Sequence, residues 1–94
     1  MEAKLDQYIQ RYQHEKDKEA LQYLKEQCWP IVEGLIIELT KEKYPEKDDL
    51  LREKGMKRFP FIMSKYQVEV QLPIETFLRN TYRFYFQQVL RKQG

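Results

Sequence analysis

Residues 18–43, KEALQYLKEQCWPIVEGLIIELTKEK, decide how this chain folds. Ala20, Leu21, Leu24, Cys28, Ile31, Val32, Leu35 and Leu39 recur on one face at helical spacing. The stripe keeps its phase across Pro30. The spacing therefore predicts one long helix over 18–43, kinked where proline removes a backbone donor and crowds the preceding turn. Two helices meeting at Pro30 is the alternative. Just upstream, Asp17 suits an N-cap, with Glu19 in the first turn against the positive end of the helix dipole.

Working outward, Leu5, Tyr8, Ile9 and Tyr12 form the apolar stripe of a short first helix, broken by the polar run His14-Glu15-Lys16. On the other side Tyr44-Pro45 ends the long helix, because the residue before proline avoids the α region. The acidic stretch Glu46 to Asp49 then suits the start of a third helix. Leu50, Leu51, Phe59, Ile62, Met63 and Tyr66 give it an irregular apolar side. Gly55 and Pro60 predict that it is bent or broken. Val68 to Leu72 alternates apolar and polar, yet no partner strand exists, so an extended linker is expected. Pro73 opens a last helix whose buried face is Ile74, Phe77, Leu78, Thr81, Tyr82, Tyr85 and Val89.

The composition agrees with this all-α reading. Ninety-four residues make one domain over 1–94, with 41% hydrophobic and 34% charged residues and only three Gly and four Pro. A single Cys excludes an internal disulfide and any cysteine-based zinc cluster. The longest apolar run, Phe59 to Met63, is too short to span a bilayer, and no signal-like segment precedes the first helix. A soluble, cytoplasmic protein is the expectation. Enzyme chemistry is not expected, nor a cofactor or metal. The one histidine, His14, has no second histidine or nucleophile beside it, phosphate-binding glycine loops are missing, and adjacent Asp48 and Asp49 point about 100° apart on a helix. Cys28 lies on the apolar stripe, where a structural thiol is expected.

The net charge of +2 conceals an uneven distribution. Residues 1–51 hold 8 Lys/Arg against 12 Asp/Glu, whereas residues 52–94 hold 9 against 3. The basic half is a candidate for nucleic acid or another acidic surface.

The order of features resembles the second region of bacterial RNA polymerase sigma factors. The short first helix, the polar break from Tyr12 to Leu21 (YQHEKDKEAL) and the long helix carrying Trp29-Pro30-Ile31-Val32 are similar to the opening of that family's sequences. Asp48-Asp49-Leu50-Leu51-Arg52-Glu53-Lys54-Gly55 resembles the family's DDLxQEG motif with one extra residue, and Phe61 to Tyr66 stands where the family has its AIEKFD ending. Pro73-Ile74-Glu75-Thr76-Phe77 through Tyr82-Arg83 to Leu90-Arg91-Lys92 is similar to the family's F-S-T-Y stretch, the I-R after it and a basic tail.

This resemblance implies a small helical bundle with two working surfaces. Asp48, Asp49, Leu51, Arg52 and Glu53 would dock on the clamp helices of the largest subunit of core RNA polymerase. Lys65, Phe77, Arg79, Asn80, Arg83, Phe84 and Phe86 would contact promoter DNA, with Phe84 and Phe86, off the main stripe, free to stack on bases. The family's paired tryptophans fall here on Asn80 and Thr81, so DNA binding is expected to be weak. The chain ends after this one region, which implies a partial sigma factor or co-sigma subunit working beside a second sigma-like polypeptide. A protein-interaction regulator that does not touch DNA is the alternative, and a basic helix lying on an anionic membrane surface is a third reading.

Overall fold

Each expected helix forms. A computed structural model describes residues 2–93: α1 (Glu2–Glu15), α2 (Lys18–Thr40), a 3-10 turn (Pro45–Lys47), α3 (Asp48–Lys65), a second 3-10 turn (Val68–Val70) and α4 (Ile74–Gln93). No strand occurs among the described residues.

The corner between α1 and α2 is built by two residues. Lys16 takes a left-handed conformation, φ 54°, and its N–H closes the last turn of α1 on the Tyr12 carbonyl at 2.8 Å. Asp17 then accepts hydrogen bonds from the backbone N–H groups of Glu19 (2.9 Å) and Ala20 (3.4 Å), as an N-cap does. Stacking of Tyr8 on Tyr23, with centroids 4.1 Å apart, holds the two helices side by side.

Helix α2 is the spine. It runs unbroken through Pro30 for 23 residues, about 34 Å at 1.5 Å per residue, close to the 38 Å long dimension of the molecule. It stops at Thr40, three residues short of the expected end, where Thr40 turns its hydroxyl back to the Ile36 carbonyl at 2.8 Å. Ala20, Leu24, Cys28, Val32, Leu35 and Ile36 are buried, and α2 packs against all three other helices. Pro30 lies on the exposed side, where water can satisfy the carbonyl that its missing N–H leaves without a partner.

Helix α3 corrects half of one expectation: it is not broken, and continues through both Gly55 and Pro60. Leu51, Gly55, Phe59, Ile62 and Met63 share its buried side. Gly55 packs tightly against Phe86 of α4, and its carbonyl accepts a 2.8 Å hydrogen bond from the buried Tyr82 hydroxyl. Packing overrides the local preference against helix at these two residues. At the end of α3, the Gln13 side chain donates to the carbonyls of Met63 (3.0 Å) and Tyr66 (2.7 Å), pairing groups that a helix terminus leaves open.

The segment after α3 corrects another. Residues 68–72 are not extended: Val68–Val70 forms a 3-10 turn and Gln71 is left-handed at φ 62°. With no neighbouring strand, backbone groups find local partners instead, Val70 N–H to the Gln67 carbonyl and Gln71 N–H to that of Val68. The Tyr66 hydroxyl donates to the Leu72 carbonyl and pins the turn.

Candidate nucleic-acid interface

The seam between α3 and α4 is where sequence charge and tertiary packing meet. On α4 the line Leu78, Tyr82, Phe86, Val89 and Leu90 turns inward, and Phe86 is wholly buried against Tyr82 at 5.2 Å between centroids. That burial rotates Phe84 outward, where it is 64% exposed. On α3 the buried line at Leu51, Gly55, Phe59 and Ile62 leaves Lys54, Lys57, Arg58, Phe61 and Lys65 in solvent.

These exposed groups form a basic, aromatic face. The Arg58 guanidinium lies 4.4 Å above the Phe61 ring centroid and 5.1 Å from that of Tyr85, bridging the two helices. Lys65 covers Phe61 from the other end at 5.1 Å. Arg58, Phe61, Thr81, Phe84, Tyr85 and Gln88 line a groove of about 110 Å³, and Lys54 and Lys57 continue it along α3. Lys57 pairs with Glu53 at 3.5 Å, but Lys54, Arg58 and Lys65 have no ion-pair partner among the described residues. Cations without carboxylate partners beside the exposed Phe84 ring suit a phosphate backbone with a base stacked alongside.

The residues implied as DNA contacts divide among four environments. Phe84 and Lys65 belong to this face, and Asn80 is exposed one turn before Phe84. Arg79 and Arg83 lie on the α2 flank of α4, each bonded to Glu38, at 2.8 and 3.0 Å. Phe77 is half-buried, edge-on to Tyr66 at 5.0 Å. Phe86 is a correction: it is core, and its ring fills the space left by Gly55. The sequence already held the signal, since Leu78, Tyr82, Phe86 and Leu90 recur every four residues. Lys54, Arg58, Phe61 and Tyr85 were missed as site residues. The four-residue spacing of Lys54 and Arg58 and the three-residue spacing of Arg58 and Phe61 could have placed the first three on one face.

The acidic start of α3 holds part of its expected set. Asp49 and Glu53 are exposed and Asp48 is partly so. Leu51 is a correction, being wholly buried in the core and presenting nothing to a partner. Arg52 turns back across the bundle. Its guanidinium donates to Glu33 of α2 at 2.6–3.0 Å and to Asp48 and Asp49 at 3.0 Å each, a clip between α2 and α3. Hydrogen bonding from Arg52 is the main reason the Glu33 carboxyl titrates below its ordinary range, and Glu33 in turn leads the causes raising Arg52.

Cys28 is buried, and loss of water pushes its thiol up to about 11. Among the described residues no group of three or more His, Cys, Asp or Glu could hold a metal ion, and no helix is long and apolar enough to cross a membrane. None of the protein-family models, curated proteins or solved structures compared with the chain matches it.

Proposed function

We propose that this domain is a partial sigma factor or co-sigma subunit, which binds core RNA polymerase and assists promoter opening by holding single-stranded DNA on the α3–α4 face. The observation that carries the reading is that face, with Lys54, Arg58 and Lys65 lacking acidic partners among the described residues and the Phe84 ring exposed beside them. The order of sigma-like motifs supports it, as does the segregation of charge along α3, acidic at its start and basic over its second half. Asp48, Asp49 and Glu53 would meet the clamp helices of the largest polymerase subunit, electrostatics setting orientation and encounter rate. A second sigma-like polypeptide would read the rest of the promoter.

Titration of labelled single-stranded promoter DNA against salt tests the DNA half. If Lys54, Arg58 and Lys65 each neutralise one phosphate, log K should fall against log salt with a slope of about −2. The Lys54→Ala/Arg58→Ala variant should flatten that slope, and Phe84→Ala should cost about 1–3 kcal/mol of binding with the slope kept. Binding that ignores all three substitutions would reject the face. For the polymerase half, the Asp49→Lys/Glu53→Lys variant should lose capture of core polymerase while its circular dichroism stays normal. Unchanged capture would reject docking through the acidic start of α3.

One observation favours the second reading, a protein-interaction regulator that leaves DNA alone: Arg79 and Arg83 already hold a carboxylate. That reading predicts polymerase or sigma-factor binding with no salt-sensitive DNA binding at all.

A further inference from the structure

Glu38 stands near the end of α2, on its exposed side, with its side chain 46% accessible. Its two oxygens are divided between two guanidiniums: Oε1 accepts from Arg79 Nη2 at 2.8 Å and Oε2 from Arg83 Nη2 at 3.0 Å. Arg79 and Arg83 are one turn apart on α4, with side chains 33% and 36% accessible. The carboxyl of Glu38 titrates below its ordinary range, first because of Arg79 and then Arg83.

Two arginines four residues apart with one bridging oxyanion between them make a fork that also fits the two non-bridging oxygens of a phosphodiester. The α2–α4 contact does not depend on this pair. Leu35 and Ile36 on α2 and Leu78 and Tyr82 on α4 are wholly buried, and half-exposed ion pairs add little to such packing. Two cations sharing one anion also leave the fork with a net positive charge.

We propose that Glu38 is a built-in competitor for backbone phosphate: it occupies the Arg79–Arg83 fork in the free protein and is displaced when a nucleic-acid strand engages α4. The proposal rests on the reading of the domain as a single-strand binder and adds the device that keeps this binding weak. Strands meet the α3–α4 face first, and only a strand that also reaches the other flank of α4 can exchange its phosphate for the carboxylate. Arg79 and Arg83 are thereby phosphate ligands held in reserve.

The test is a titration of single-stranded DNA at low salt with wild type, Glu38→Gln, Glu26→Gln and Lys54→Ala/Arg58→Ala. Glu26→Gln makes the same charge change about three turns earlier on α2. Glu38→Gln should bind about two- to thirtyfold more tightly than wild type, the factor expected for releasing two exposed ion pairs. Glu26→Gln should change affinity far less. Adding Arg79→Ala/Arg83→Ala to Glu38→Gln should abolish the gain. Equal affinities of wild type and Glu38→Gln, with Lys54→Ala/Arg58→Ala still weakening binding, would overturn the competitor and leave the DNA-binding reading standing. If no variant binds DNA, that reading falls, and inorganic phosphate decides the competitor by itself. Arginine Nε–H resonances of Arg79 and Arg83 should respond to phosphate at lower concentration in Glu38→Gln than in wild type. An identical response would overturn the proposal.

Discussion

Adding one methyl group at Gly55 should separate helix propensity from packing in this bundle. A Cβ there would stand 2.9 Å from Cζ and 3.3 Å from Cε1 of Phe86, and 3.3 Å from Cη2 of Trp29. Phe86 is wholly buried between α3 and α4 and has little room to retreat. Replacing glycine by alanine inside a helix is worth about 1 kcal/mol in propensity. Inserting an extra carbon into a filled core costs about 1–3 kcal/mol. Gly55→Ala should therefore be neutral or destabilising by up to ~2 kcal/mol, despite being a helix-favouring change. Gly34 provides the comparison, since a Cβ at that exposed position on α2 meets nothing within 4 Å. Gly34→Ala should stabilise by about 1 kcal/mol. Urea unfolding followed by circular dichroism should part the two midpoints by on the order of 1 M, for slopes near 1–3 kcal/mol/M. In a Phe86→Leu background, where the ring edge is gone, the penalty at Gly55 should shrink, giving a coupling between the two positions. Equal stabilisation by Gly34→Ala and Gly55→Ala would refute the claim that Gly55 is required by the close approach of α4.

Three further outcomes follow from side-chain surroundings. Tyr82→Phe removes the buried hydroxyl bond to the Gly55 carbonyl and should cost about 0.5–1.5 kcal/mol in the same urea assay, with no loss of helix content. Cys28, its thiol raised to about 11 by burial, should resist iodoacetamide at pH 8 in the folded protein, so that labelling tracks unfolding as urea is added; fast labelling without urea would contradict its burial. Glu33 and Glu38 both have folded-state pKa values depressed below 4.5 by arginine partners. Their contribution to stability is then present above the unfolded-state pKa and is lost as pH falls through the folded one. Thermal midpoints should decline below about pH 4.5, and Arg52→Ala should lower the midpoint at pH 7 while reducing the decline; an unchanged acid profile in Arg52→Ala would remove the clip as its source.

How much of this could be read in advance depends on whether the cause is local. The corner at Asp17 was legible because an N-cap needs only the residue itself and the two N–H groups just after it. The spine α2 was legible because its stripe from Ala20 to Leu39 repeats at one period for about five turns. Lying off the stripe did not by itself decide exposure, since it was read for both Phe84 and Phe86 and only Phe84 is exposed.

What the sequence alone determined was therefore the all-helical class, the helix order and the excess of positive charge after residue 51. Only the tertiary structure decided which side of each helix is free. Gly55 and Pro60 argue locally against a helix, yet α3 runs through both, because the approach of Phe86 and Trp29 makes the glycine fit. Phe86 went inward with its ring against Gly55, and Leu51 went inward with it. The arginines divided according to which carboxylates other helices brought near: Arg52 to Glu33, Arg79 and Arg83 to Glu38, and Arg58 to aromatic rings instead. A charge's partner is fixed by contacts many residues away in the chain, and no helical period encodes that distance.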